Sequence, residues 1–316
     1  MQRALRASDS ALAAIGNTPL VRLRRLVPPN HAEVYLKLEY TNPTGSHKDR
    51  MAAAIIEKAE LRGALKPGMK VVEATGGSTG SSLAFVCAVR GYRFQPATSD
   101  AFAPEKLRTM AAFGASVDII RSPSGRITAD LIPAMIRRAR SVADEDSAYA
   151  TDQFNNADAL VGYEGLGREI LAQLPEGVDA FCAAVGTAGL AMGVSSVLKA
   201  ARRDTRVVVL EPASTPVITE GRAGAHGVEG IGIGFLPPLL DRALYDEARA
   251  VEEDEARAMC RRLAREEGIF AGVSTGMNAV AAIRLARELG PRKRVVTIAC
   301  DSGLKYLNSD LFHGPQ

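Results

Sequence analysis

DAFCAAVGTAGLAMGVSSVLKAAR, residues 179–202, decides the fold class. A short apolar run (179–184) reads as a buried strand. A glycine-rich turn, Gly186-Thr187-Ala188-Gly189-Leu190, follows it, and 190–202 continues with helical composition. That is a strand–turn–helix unit, and it recurs outward in both directions. The Val- and Ile-rich runs 33–38, 70–73, 116–120, 206–210 and 294–299 predict further strands. Amphipathic stretches between them predict helices over 48–62, 79–90, 104–113, 129–142, 159–174, 253–267 and 277–289, the last stopped by Gly290-Pro291. Strands alternating with helices mean an α/β fold with mostly parallel sheets. The 316 residues allow two such sheets. No linker marks a domain boundary, so the chain is expected to cross between domains more than once.

Hydrophobic residues make up 47% and charged residues 24%, an ordinary globular balance that excludes a disordered chain. Net charge is +3, with 39 basic and 36 acidic residues mixed in sign, so nothing points to nucleic acid. The N-terminal Arg3, Arg6 and Asp9 interrupt any secretory apolar region. The longest uncharged stretch, 181–198, contains three glycines and two serines, which suits a strand and turn better than a membrane span. A cytoplasmic protein is expected. Cys87, Cys182, Cys260 and Cys300 are far apart in apolar surroundings and read as packing thiols; neither they nor the four dispersed histidines suggest a metal.

Glycine is in surplus, and eleven of the 29 fall in four clusters: 76–80, 186–193, 230–234 and 272–276. Ligands of open α/β sheets bind beyond the carboxyl ends of strands. Glycine lets backbone N–H groups approach an anion, and the next helix N-terminus adds partial positive charge. The second cluster is the best phosphate cup, although a tight strand–helix turn needs the same residues. No cluster forms a dinucleotide fingerprint or a triphosphate P-loop. Gly76–Gly80 and Gly272–Gly276 both match G-x-S-x-G, which keeps a serine hydrolase using Ser78 or Ser274 open.

Asn42-Pro43-Thr44-Gly45-Ser46-His47-Lys48-Asp49-Arg50 delivers a lysine to a helix start. The helix dipole there favours the neutral amine that Schiff-base chemistry needs. A solvated surface lysine is the plainer alternative, with Asp49 and Arg50 as ordinary first-turn charges.

Together these segments resemble a known family. Residues 15–23 (IGNTPLVRL) look like the opening of cysteine synthases and the related cystathionine β-synthases. Residues 42–50 resemble their N-P-x-G-S-x-K-D-R motif, and 153–156, 230–235, 272–276 and 301–307 match in order. The likeness runs from about residue 12 to residue 312. It implies the tryptophan-synthase β-like fold, fold type II. Two three-layer αβα domains would hold pyridoxal 5′-phosphate in the cleft between them. The smaller domain would span 41–155 and the larger 1–40 plus 156–316, in a homodimer. Lys48 would be the catalytic residue and would carry the cofactor. Gly186, Thr187, Ala188, Gly189 and Leu190 would hold its phosphate, Ser274 would face the pyridine nitrogen, and Ser78 would contact the 3′-oxygen. Thr75, Gly76, Gly77, Ser78, Thr79 and Gln153 would bind the substrate carboxylate. The implied reaction is β-replacement on an activated L-serine such as O-acetyl-L-serine, through an aminoacrylate, with sulfide giving L-cysteine.

Departures from the pattern bear on the substrate, among them residues 93–100, which differ from the usual M-P and E-R-R stretch. Gly76 lacks the usual serine hydroxyl and Ser78 replaces asparagine in T-S-G-N-T-G. Leu190 replaces the last threonine of G-T-G-G-T, and Glu229 stands where glutamine is common. A relative with another donor or nucleophile is therefore the alternative: a diaminopropionate-type synthase, a cystathionine synthase or a serine/threonine deaminase. A cofactor-binding scaffold without turnover is a further class.

Overall fold

A computed structural model describes residues 7–125, 128 and 130–313. In chain order the elements are β1 (Leu20–Arg22), β2 (Glu33–Leu38), α1 (Lys48–Leu61), β3 (Lys70–Ala74), α2 (Ser78–Arg90), β4 (Arg93–Ser99), α3 (Pro104–Ala112), β5 (Asp118–Ile120), α4 (Leu131–Asp146) and β6 (Tyr149–Ala150). They continue with α5 (Asp158–Gln173), β7 (Ala180–Ala184), α6 (Gly189–Ala201), β8 (Arg206–Pro212), α7 (Val217–Glu220), β9 (Glu247–Val251), α8 (Glu253–Arg262), α9 (Val273–Leu289) and β10 (Arg294–Ala299).

Two sheets form. One has the order β1-β2-β10-β7-β8-β9, parallel except for β1. The other, β5-β4-β3-β6, is wholly parallel. Both faces of the larger sheet are covered, as its continuous apolar strands require. Alternate residues divide between the faces: Ala180, Cys182, Val208 and Leu210 pack with α8 and α9, whereas Phe181, Ala183, Val207 and Val209 pack with α5 and α6.

α1 belongs to both halves. Its Met51 and Ile55 join the core under α5 and α6, while Ala52, Ile56 and Ala59 join the core beneath α2. A helix apolar on so many sides is buried between layers rather than laid on a surface. Its first residue therefore sits where the two sheets meet.

Sequence and structure differ at particular places. β4 carries Pro96, which lacks a ladder donor and makes the run read as non-strand, yet β4 lies between β5 and β3. β1 and β6 are too short to show any period. β9 (EARAV) has a helix-former composition and becomes a strand by pairing with β8. The helix expected over 253–267 changes to a π-turn at Leu263–Glu267. The helix expected from 129 begins at Leu131; residue 129 itself lies outside the described residues. α9 starts at Val273, earlier than expected, so the fourth glycine cluster is mostly a helix start rather than a loop.

Candidate functional site

A cleft of about 730 Å³ opens beyond the carboxyl ends of β3, β7 and β10. Lys48 stands in its wall and is only 8% exposed. The turn before it is fastened to the end of β10: His47 N–H donates to Cys300 O at 3.0 Å, and Ser302 N–H donates to Gly45 O at 3.0 Å. The charged residues of the motif are structural. Thr44 donates from its backbone N–H (2.8 Å) and its hydroxyl (2.5 Å) to the Asp49 carboxylate. Arg50 pairs with Glu39 at 2.7 Å and with Glu169 at 2.8 Å, and Lys37 reaches Glu169 at 2.7 Å. Burial alone would raise the Glu169 carboxyl; Arg50 and Lys37 outweigh it and hold it down to about 2. Asn42 donates to Glu39 at 2.9 Å and accepts from Gly16 N–H at 2.8 Å. Asp49 and Arg50 are thus buried anchors that aim Lys48, not first-turn surface charges.

Lys48 itself makes no ion pair among the described residues. Burial lowers its pKa from 10.5 to about 8, with Cys300 and Glu73 offsetting part of the effect. Burial of the ammonium favours the neutral amine here.

Gly186, Thr187, Ala188 and Leu190 line the same cleft, at the end of β7 and the start of α6. A side chain on residue 186 would meet Gly230 O at 2.2 Å, so the 230–234 loop closes directly over this turn. Ala188 holds the left-handed φ of +67° that makes the turn. Gly189 is expected to share the cup but stands behind it, against Tyr163. Ser274, at the start of α9, lines the cleft beside the Cys300 thiol.

Thr75, Gly76, Gly77, Ser78 and Thr79 line the opposite wall. Thr75 Oγ1 accepts from Gly77 N–H (3.2 Å) and Gly80 N–H (3.0 Å), which leaves its own hydrogen free to donate. Gln153 accepts from Thr79 Oγ1 at 2.7 Å and donates to Ala74 O at 2.8 Å. Glu73 holds it from behind by accepting from Gln153 N–H at 3.0 Å. Burial raises the Glu73 carboxyl to about 7, against hydrogen bonds from Thr151, Gln153 and Ala74.

Every proposed contact residue except Gly189 therefore borders one cleft. Not all the clustered glycines do. Gly193 and Gly276 serve helix packing: a side chain would meet Leu160 O at 2.7 Å and Ala256 O at 2.0 Å respectively. Phe102, Lys106 and Cys300 also line the cleft, and nothing in their local sequence marks them; Asp301, the first residue of the matched segment 301–307, lines it too. Neither G-x-S-x-G serine has a histidine partner among the described residues. His226 is committed to Gly232 O at 2.8 Å and to Val228 N–H at 3.1 Å. A hydrolase triad is not assembled.

The donor set fits pyridoxal phosphate: a buried amine without an ion pair among the described residues, a glycine-rich helix start for an anion, and the neutral Ser274 hydroxyl in the same cleft. The comparisons agree. The family model described as "Pyridoxal-phosphate dependent enzyme" matches residues 11–301. The chain is 41% identical over 307 residues to the cysteine synthase of Staphylococcus aureus (strain N315), covering 96% of this chain and 97% of that one. Among solved structures it resembles an O-ureido-L-serine synthase, with TM-score 0.91 and 35% identity over 98% of this chain and 97% of that one. It also resembles the cysteine synthase of Entamoeba histolytica, with TM-score 0.92 and 30% identity over 100% and 94%. By sequence and fold, the chain belongs to the fold type II pyridoxal-phosphate dependent enzymes, in the cysteine synthase family.

Proposed function

We propose that this enzyme carries out β-replacement on O-acetyl-L-serine, with sulfide as nucleophile and L-cysteine as product. The observation that carries this reading is Lys48: a buried amine with its pKa lowered to about 8, facing an anion cup across one cleft. When bound, pyridoxal phosphate supplies an aldehyde for covalent attachment and an electron sink that makes the Cα proton of a bound amino acid removable.

The chain's residues do the rest. Lys48 Nζ is the attachment point. With the cofactor bound, Lys48 Nζ would be placed to take the Cα proton of the amino acid, and its lowered pKa suits a general base near neutral pH. The α6 start at 186–190 would anchor the phosphate, and Ser78 would meet the 3′-oxygen. Ser274 would face the pyridine nitrogen with a hydroxyl, which does not force protonation and so would favour loss of the β-substituent over transamination. Thr75 to Thr79 and Gln153 orient the α-carboxylate. A second reading, another donor or nucleophile on this scaffold, is favoured by the altered residues Gly76, Ser78 and Leu190.

The four-stranded sheet takes its strands from 70–150, which supports a smaller domain over 41–155 and a larger one over 1–40 plus 156–316. No helix among the described residues is long and apolar enough to cross a membrane. A cytoplasmic homodimer is the assembly we assign.

The test is direct. Protein saturated with pyridoxal phosphate should be yellow, borohydride should fix the label on Lys48, and O-acetyl-L-serine with sulfide should give L-cysteine. A label elsewhere refutes the Lys48 role. Turnover with a different donor or nucleophile selects the second reading.

A further inference from the structure

We propose that Lys106, on α3, binds the α-carboxylate of the amino-acid substrate, and that Glu229 is the resting counter-ion which that carboxylate displaces. This rests on reading 75–79 as the carboxylate loop. Against the pattern it resembles, that loop lacks the serine hydroxyl at Gly76, and Ser78 offers a shorter hydroxyl in place of an amide. An anion taken from water needs its hydrogen bonds replaced.

The segment leading into α3 packs directly against both glycines of this loop, of which only Gly76 departs from the pattern. A side chain on residue 76 would meet the Phe102 ring at 2.5 Å, and one on residue 77 would meet Lys106 Cδ at 2.3 Å. Phe102 lies just before α3 and Lys106 in its first turn, and both border the cleft, so one segment supplies both the apolar wall and the cation. Lys106 is 3% exposed and borders the cleft.

A buried ammonium needs a counter-charge. Lys106 finds one in Glu229, across the cleft on the segment between α7 and β9. Tyr306 holds its other side, with the hydroxyl at 3.4 Å and the ring centroid at 4.8 Å. Glutamine, common at position 229 in the pattern, would leave this lysine without a charge partner. The two partners differ in freedom: side-chain exposure is 4% for Lys106 and 22% for Glu229. An arriving carboxylate therefore replaces Glu229, which turns to water, and the ammonium stays paired throughout. Lys305 is the competing cation. It approaches Ser78 Oγ at 3.5 Å from the turn after β10 and makes no ion pair among the described residues.

The experiment uses cofactor-loaded protein and two readouts. One is the visible absorbance change on titration with L-methionine, which has no leaving group on Cβ. The other is the separation of KM from kcat with O-acetyl-L-serine. Lys106→Met should weaken half-saturation and raise KM by ~10–100-fold, the range of one charge-assisted hydrogen bond, with kcat changed less than about threefold. Lys106→Arg should recover most of the loss. Glu229→Gln, which frees the ammonium, should tighten half-saturation about threefold or more. The proposal is overturned if Lys106→Met titrates like the parent, if Glu229→Gln weakens binding as Lys106→Met does, or if only Lys305→Met loses affinity. A parent protein whose spectrum no amino acid changes would overturn the functional reading itself, and this assignment with it.

Discussion

Replacing Lys48 with methionine should stabilise the cofactor-free protein at neutral pH, because the native state holds this amine where its charge is poorly solvated. The folded pKa is about 8 against 10.5 in the open chain. Between those values the unfolded state binds more protons than the native one, so stability rises with pH across that window. Below pH 8 the whole burden is present; above 10.5 it is gone. At ~1.4 kcal/mol per pH unit, the difference amounts to roughly 3 kcal/mol. Methionine has a similar length and no charge, and should recover much of that at pH 7. Urea unfolding of both cofactor-free proteins at pH 7 and at pH 10.5 measures it. The variant should be more stable by about 2–3 kcal/mol at pH 7, and the gap should close at the higher pH. An equal gap at both values, or none at pH 7, would refute the claim that burial sets the state of this amine. The same variant should lose the borohydride-fixable attachment of the cofactor.

Two further substitutions probe how the site is held. Arg50→Met strands Glu39, whose side chain is 0% exposed, and half-frees Glu169; a loss of ~3–5 kcal/mol in urea unfolding is expected, and less than ~1 would show that the network is not the anchor of the Lys48 turn. Ala188→Gly removes the cost of a left-handed alanine at φ +67° and should stabilise by about 1 kcal/mol, with the affinity for pyridoxal phosphate from equilibrium titration unchanged; destabilisation would mean that the alanine methyl packs more favourably than the backbone is strained.

Much of the site was legible because its chemistry is local in sequence. Asn42 to Arg50, the 75–80 loop and the turn at 186–190 each carry their signal within a few residues, since a turn into a helix start depends on neighbours along the chain. Lys106 carries no such signal, and Glu229 shows only as a departure from the pattern, without its partner. In sequence, Pro104-Glu105-Lys106 is an ordinary first turn with solvated charges. Its lysine becomes a buried wall of the cleft only because Gly77 leaves room for its stem. The anchoring role of Arg50 is hidden for the same reason: an ion network joining residues 37, 39, 50 and 169 has no spacing to read.

The alternation of apolar runs and amphipathic stretches settled the α/β class, most helices and the inner strands, because burial on one face or two imposes a period on the side chains themselves. Marginal strands were decided by pairing. β9 and the proline-bearing β4 exist because a neighbouring ladder gives their backbones hydrogen bonds, whatever their composition favours. The placement of the reactive lysine belongs to tertiary structure as well. The sequence put Lys48 at a helix start, but only the packing of α1 into both cores buries that start where the two sheets meet, and that burial is what moves its pKa toward 8.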